Sequence, residues 1–113
     1  MGFINCTPHE LNIYRTDGTV LTLAPSGNIV RVVESRMTDR VENGITFNHV
    51  VYGEIDYDGL DLESVFNSNT IVIVSSMVLA ALPLSYAGDF TSPGEAVRNE
   101  ANQIIGCRGL TIR

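Results

Sequence analysis

Two neighbouring serines in the last third of the chain have the chemistry and the position to bind an anion. Ser75 and Ser76 follow the apolar run 70–74 and precede the apolar segment 77–82, which Pro83 ends. This pattern predicts a short helix that begins at the serines. The unpaired backbone N–H groups and the dipole at the start of a helix favour a negatively charged ligand. The simpler interpretation is that a serine side chain only caps the helix.

Two arginines near the end of the chain form a second feature suited to anions. Arg98 precedes and Arg108 follows the turn of a hairpin predicted over residues 92–110. Guanidinium groups match phosphate oxygens in geometry, and across a hairpin the two side chains can approach each other. The alternative is that both arginines form ion pairs with Glu95 or Glu100 and have a structural role only.

A histidine in a turn is the third candidate. Pro8 restricts the backbone next to His9, so the imidazole has a defined direction as a ligand contact or a general base. The alternatives are a purely structural turn, or a catalytic pair of His9 with Cys107 that the spacing does not establish. No G-x-S-x-G motif is present, and we predict no catalytic residue. The predicted ligand-binding residues are His9, Ser75, Ser76, Arg98 and Arg108.

The carboxylates and cysteines do not have the spacing of a metal site. Five carboxylates lie between Glu54 and Glu63, but Leu60 occupies a position where a calcium-binding loop needs an oxygen ligand, so we interpret the segment as a solvated acidic loop. Two cysteines and two histidines without short spacing make no zinc site. We predict no metal and no cofactor, and we expect Cys6 and Cys107 to be reduced and buried.

Length and charge restrict the class of protein. A chain of 113 residues is predicted to form one domain, residues 1–113. The net charge is −6, and all seven basic residues are arginines, which excludes Schiff-base chemistry and a P-loop because both need a lysine. No basic run is present, so we predict no binding of duplex nucleic acid. No apolar stretch is long enough to cross a membrane and no signal peptide is recognisable, so we expect a cytoplasmic protein without membrane contact.

The elements that must position these residues are mostly strands. Turn sequences at Asp17-Gly18, 25–28 and Asn43-Gly44 separate short alternating segments, and the fully apolar run 70–74 is typical of a central strand. The segment 76–82 is apolar on every side, which indicates a helix that is buried in the core or in an oligomer interface. We therefore predict a mainly β (α+β) fold: a small, mostly antiparallel, curved or barrel-like sheet with one short buried helix.

Four stretches of the chain resemble a family of small uncharacterised proteins carried by phages and prophages. They are INCTPHELNIY, the PSG turn with the V-R-V that follows, IVSSMVLAAL, and P-x-x-x-V-R-N-E-x-N-x-I-x-G-C-R. Members of that family have Asp and Gly where this chain has Asn99 and Asn102, and Asn tolerates the left-handed backbone of the turn. The resemblance implies a shared site and, for a phage protein, the cytoplasm of the host cell. The matching site positions are His9, Ser75, Arg98, Cys107 and Arg108.

Phage context favours a protein that interferes with host defence. Our leading hypothesis is a non-catalytic homo-oligomer that sequesters a phosphorylated, nucleotide-like signalling molecule, with an aromatic ring stacked on the base. The aromatic candidates are Tyr14, Phe47, Tyr52 and Tyr57. One alternative is a protein-binding inhibitor or accessory factor, in which the acidic loop mimics a nucleic acid or meets a basic partner. The others are a nucleotide hydrolase that uses His9 and the carboxylates, and a minor virion component.

Overall fold

The computed structural model describes residues 2–86 and 88–113. The fold is mainly β, and its principal sheet curves into a nearly closed barrel, as the sequence predicts. The strands are β1 (Gly2–Asn5), β2 (Leu11–Tyr14), β3 (Val20–Leu23), β4 (Arg31–Glu42), β5 (Ile45–Asp56), β6 (Thr70–Ile73), β7 (Phe90–Arg98) and β8 (Ile104–Thr111). The helices are α1 (Leu62–Asn67) and α2 (Ser76–Ala81), with a 3-10 turn at Leu84–Tyr86.

The strands form one sheet of six and one separate pair. The order in the large sheet is β1-β6-β7-β8-β2-β3, and β4 pairs only with β5. The longer pairings, β4 with β5 and β7 with β8, are antiparallel, as is β2 with β3. Three short parallel pairings, β1–β6, β6–β7 and β2–β8, close the large sheet and join distant parts of the chain. The sequence pattern did not predict these parallel contacts or strand β1.

The predicted turns have the backbone that their residues favour. Gly18 has a φ of 86°, and the Asp17 carboxylate accepts hydrogen bonds from the Thr19 backbone N–H (2.9 Å) and hydroxyl (2.6 Å). Those two hydrogen bonds hold the pKa of Asp17 below its ordinary value. In the β7–β8 turn Asn102 has a φ of 62°, so an asparagine takes the left-handed position as expected.

The core consists of two clusters. The larger cluster centres on Phe90, Val72 and Val74, none of which has any exposed surface, and Tyr86 stacks on the Phe90 ring at 5.7 Å. The smaller cluster contains Ile13, Ile73 and Cys107, with partly buried residues around them. Val72 and Ile73 are neighbours in β6 and belong to different clusters, because successive side chains of a strand point to opposite faces. Strand β6 is therefore buried on both sides, as its apolar sequence predicts.

The helices differ from the prediction in two respects. A second helix, α1, is present where the sequence indicates only a loose turn, and the Asp61 carboxylate caps it by accepting a hydrogen bond from Ser64 N–H at 3.2 Å. Helix α2 buries Val78 and Leu79 but leaves Met77 49% exposed. Helix α2 therefore covers the sheet with one face and presents apolar groups to solvent on the other. No described helix reaches the length and hydropathy of a membrane span.

The β4–β5 hairpin projects from the rest of the molecule, and we call its residues 33–54 the arm. Only Val32 of the two 12-residue strands is buried, and Ile55 packs against the larger cluster at the base. The radius of gyration is 16.9 Å, whereas a compact chain of this length has about 13 Å. The difference reflects a two-stranded ribbon that extends away from the core.

Candidate functional site

The residues that line a cavity of about 770 Å³ include two arginines and a tyrosine. We call it the arginine cavity, and its charged and aromatic lining consists of Arg15, Arg108 and Tyr14. The apolar walls are Phe3, Ile13, Leu21 and Leu110, and Thr16 and Gly109 complete the lining. A concave, largely apolar site with a few convergent polar groups is the usual form of a small-molecule site.

The parallel pairing of β2 with β8 sets the position of these side chains. Tyr14 lies next to Arg108 in the register, and Ile13 lies next to Cys107. The Tyr14 ring lies over Gly106, where an added Cβ would stand 2.6 Å from a ring carbon. A glycine is therefore required at position 106 for the ring to lie against the sheet beside Arg108.

The two arginines of the cavity differ in their partners. Arg15 donates a hydrogen bond from its guanidinium to the Thr19 hydroxyl at 3.1 Å, within the β2–β3 turn. Arg108 is exposed and faces Glu95 across the β7–β8 ladder. Over residues 2–86 and 88–113, no hydrogen bond or ion pair of the Arg108 side chain is present. Its guanidinium donors are thus open to a ligand, as the hypothesis of an arginine-bound phosphate requires.

Arg98 lies at the far end of the same hairpin and does not join Arg108. Arg98 pairs with Ile104 near the turn, whereas Arg108 pairs with Glu95. The Arg98 guanidinium donates to the Asn102 carbonyl at 2.8 Å, which ties it to its own turn. The predicted approach of the two arginines therefore does not occur, and in the described part of the chain neither has the predicted ion pair with Glu95 or Glu100.

His9 lines a second cavity, of about 680 Å³, which we call the histidine cavity. The other lining residues are Glu10, Leu11, Asn12, Pro93, Gly94, Ala96, Ile104, Ile105, Gly106 and Cys107. His9 and Cys107 thus share a cavity, but no hydrogen bond joins them in the described structure. Cys107 belongs to the smaller core cluster, so its packing role is the one that the contacts support.

The turn that carries His9 is held by a buried network around Asn5. The Asn5 amide donates to the carbonyls of His9 (2.8 Å) and Leu23 (3.0 Å), and its oxygen accepts from the backbone N–H (3.0 Å) and hydroxyl (2.6 Å) of Thr7. The Thr7 hydroxyl also bonds the His9 carbonyl at 3.1 Å. All these contacts fix the backbone of the turn and leave the imidazole exposed. The Thr-Pro-His motif therefore has a clear structural role.

The two serines lie apart from both cavities. The Ser75 hydroxyl accepts a hydrogen bond from Val78 N–H at 3.3 Å and caps α2, which is the simpler of the two interpretations. Ser76 is the first residue of the helix and is exposed. The candidates Ser75, Ser76, Arg98, His9 and Arg108 therefore occupy four separate places, with the serines together and each of the others alone.

Three carboxylates of the acidic loop accept hydrogen bonds from backbone N–H groups. Asp58 accepts a hydrogen bond from Ile29 N–H at 2.8 Å, Asp56 accepts one from Asp58 N–H at 2.9 Å, and Asp61 caps α1. No cluster of three metal-ligating side chains occurs among the residues that the structure describes. The loop thus connects β5 to α1 and anchors the segment before β4.

Of the four aromatic candidates for base stacking, Tyr14 alone lines the arginine cavity. Phe47 and Tyr52 lie on the arm, and Tyr57 packs against the larger core cluster. Burial raises the pKa of the Tyr57 hydroxyl, with a further contribution from Tyr86. Sequence reasoning missed Arg15, because a charged residue before Asp17-Gly18 looks like an ordinary turn residue.

Comparisons with known proteins give no relative of this chain. No family model, no curated protein and no solved structure matches it.

Proposed function

We propose that this protein is a small, non-catalytic binding protein that sequesters a phosphorylated, nucleotide-like molecule in the arginine cavity. The observation that carries the proposal is an apolar-walled space of about 770 Å³ whose lining includes Arg15, Arg108 and Tyr14. Two guanidinium groups supply bidentate donors for phosphate oxygens, and a phenol ring supplies a surface for a base. Pockets of roughly 300–1,000 Å³ hold molecules of nucleotide size.

The resemblance to phage and prophage proteins supports the biological setting of this proposal. We infer an anti-defence protein that acts as a homo-oligomer in the cytoplasm of a host cell and lowers the free concentration of a signalling nucleotide. A binding protein of this kind needs donors for phosphate and no chemical step, which agrees with the separation of His9 and the serines from the arginines.

Thermal unfolding against a panel of nucleotides and cyclic nucleotides tests the proposal directly. A ligand at 100 times its dissociation constant should add roughly 2.7 kcal/mol to the free energy of unfolding. The ligand should be recovered unchanged after the protein is denatured. Recovery of a reaction product would contradict sequestration and favour a nucleotide hydrolase. A panel without any stabilising ligand would favour a protein-binding inhibitor, and affinity capture from host lysate would then be the next experiment.

Two arginine variants locate the site. Arg108→Ala should weaken binding by about 1.5–3 kcal/mol, which is roughly 10- to 150-fold in dissociation constant, because it removes a charge-assisted contact to phosphate. Arg98→Ala is the matched control, since it changes the same residue type on the same hairpin outside the cavity. Equal losses of affinity in the two variants would show that the effect is general electrostatics. Unchanged affinity in Arg108→Ala would show that the ligand does not bind in this cavity.

A further inference from the structure

The histidine cavity and the arginine cavity lie at opposite ends of the same pair of strands. The lining of the histidine cavity includes residues 9–12 at the start of β2 and 104–107 at the start of β8. The lining of the arginine cavity includes residues 13–16 at the end of β2 and 108–110 at the end of β8. Because β2 and β8 are parallel, the corresponding ends of the two strands lie together. The histidine cavity is thus a separate place, and the proposed function makes no use of it.

The walls of the histidine cavity are mostly apolar and are partly open to water. Ile104 is 62% exposed and Ile105 is 39% exposed, and both line this space of about 680 Å³. On the β7 side the lining includes Gly94 and Ala96, whose side chains are absent or small. An apolar molecule in the cavity would remove the two isoleucines from water, which is favourable. The volume lies in the range of small-molecule sites, roughly 300–1,000 Å³.

The two cavities differ in the sign of the charge in their lining. Arg15 and Arg108 line the arginine cavity, and no carboxylate is among the described residues there. The described lining of the histidine cavity contains the carboxylate of Glu10 and no arginine. Arg98 lies on β7, but its guanidinium is bound to the Asn102 carbonyl at 2.8 Å and does not line the cavity. The Glu10 carboxylate is exposed and has no ion pair in the part of the chain that the structure describes, so it is open to a cationic ligand.

His9 adds a hydrogen-bond acceptor beside Glu10. The His9 imidazole is exposed, and a neutral imidazole accepts a hydrogen bond at one ring nitrogen. The Asn5 amide and the Thr7 hydroxyl both bind the His9 carbonyl, at 2.8 and 3.1 Å. The backbone at this edge of the cavity is therefore fixed before a ligand binds, which lowers the entropic cost of binding.

We propose that the histidine cavity is a second ligand site, which binds a small organic cation with an apolar body and an ammonium group. The apolar body lies against Ile104 and Ile105. The ammonium group donates hydrogen bonds to the Glu10 carboxylate and the His9 imidazole. The same carboxylate disfavours a negatively charged ligand. The site is independent of the proposed nucleotide site, because the two linings share no residue.

Three probes that share an unbranched octyl chain test the proposal. Octylammonium, octanol and octanoate are titrated into the whole chain at pH 8, where the amine and the acid are both charged, and the backbone amide shifts are followed by NMR. Saturable shifts should occur at Leu11 and Ile105, which line the histidine cavity, and not at Arg108 or Gly109, which line the other cavity. Octylammonium should bind about fivefold more tightly than octanol, as expected for one partly exposed ion pair, and octanoate should bind most weakly.

Three variants separate the head group from the apolar body of the ligand. Glu10→Gln should make octylammonium and octanol bind equally. Glu100→Gln is the matched control, since it removes the same charge from an exposed residue of the β7–β8 turn, outside the cavity, and should keep the preference for the amine. Ala96→Leu enlarges an exposed side chain of the lining without changing charge, and it should weaken binding of all three probes.

Each of the opposite results would overturn the proposal. Equal affinities of the three probes would show that the carboxylate takes no part. A preference for octylammonium that survives Glu10→Gln would assign it to the net charge of −6. Unchanged affinities in Ala96→Leu, or shifts at Arg108 and Gly109, would place the probes outside the histidine cavity. The nucleotide panel is measured separately, so the outcomes for the two cavities stay distinct.

Discussion

The six-stranded body and the arm are both built from β-strands, and they differ in how far those strands are buried. The body places strands of only four residues, such as β6, in a core where Val72 and Ile73 have no exposed surface. The arm has strands of 12 residues with a lower share of apolar residues, and nearly all of its side chains are exposed. Strand length therefore does not determine burial. What differs is whether another layer of the chain covers the strand.

The largest expected difference between the two regions comes from removing a phenylalanine ring. Phe90 is fully buried and stacks with Tyr86, so Phe90→Ala should lower the free energy of unfolding by about 3–5 kcal/mol. Phe47→Ala in the arm should cost less than about 1 kcal/mol when measured on dissociated protein, because the ring is already exposed. Urea denaturation at low protein concentration gives both values. Similar losses would mean that the arm is part of the core in solution.

The next largest effect is expected from two asparagines with different surroundings. Asn5→Ala removes four hydrogen bonds of a buried amide and should cost about 3 kcal/mol, because the Thr7 N–H and the Leu23 carbonyl lose their partner. Asn48→Ala removes one exposed contact to Thr38 in the arm and should change stability by less than about 0.5 kcal/mol. Thermal and urea unfolding measure the two variants side by side, and a neutral Asn5→Ala would show that the network contributes no stability.

Two glycines test how closely the backbone packs in each region. A Cβ at Gly106 would stand 2.5 Å from the Asn12 carbonyl oxygen and 2.6 Å from the Tyr14 ring, so Gly106→Ala should cost about 2 kcal/mol. At Gly53 in the arm an added Cβ would stand 3.4 Å from its nearest neighbour, the Val33 carbonyl oxygen. Gly53→Ala should therefore leave the free energy of unfolding unchanged or raise it slightly, because alanine lowers the conformational entropy of the unfolded chain. Because the Tyr14 ring must move, Gly106→Ala should also weaken ligand binding in the arginine cavity. Unchanged binding would show that Tyr14 does not contact the ligand.

The smallest effect is a pH dependence of stability that arises at Cys6 in the body. Burial is the main cause that raises the pKa of the Cys6 thiol; Asp58 adds to it, and a hydrogen bond with Ser26 opposes it. A thiol whose pKa is higher in the folded chain than in the unfolded chain stabilises the fold fully below the unfolded value, about 8.5. That stability is lost as the pH rises from the pKa of the thiol in the unfolded chain through its higher pKa in the folded chain. Between about pH 8.5 and 9.5, below the titration of tyrosines, Cys6→Ala should flatten the decline seen in urea denaturation.

The sequence predicts local structure well in this protein. The turns at Asp17-Gly18 and Asn43-Gly44 and the buried strand at 70–73 are all present, because each depends on a few adjacent residues. Strand β1 and the parallel pairings were missed, since β1 has four residues with no alternation and its partner lies in β6. Pairing over that distance is set by the closure of the whole sheet and has no local pattern.

The candidate site was only partly predictable, for the same reason. Arg108 was singled out by residue type, and the structure places it in a cavity with Arg15 and Tyr14. The link between these residues is the β2–β8 pairing, which joins positions more than ninety residues apart, so spacing along the chain contains no sign of it. Ser75 and His9 were candidates by residue type, but the Ser75 hydroxyl caps α2, and the His9 carbonyl is bound by Asn5 and Thr7.

The strand order of the sheet has a consequence for how the chain folds during synthesis. The first strand must wait for β6, and the second must wait for β8, so the body cannot close until Ile104–Thr111 have left the ribosome. Such long-range pairing slows folding to the millisecond-to-second range. The arm is a local hairpin around Asn43-Gly44 and can form in microseconds, as soon as its own residues emerge. The nascent chain can therefore form the hairpin of the arm, with its exposed apolar side chains, well before it has a core.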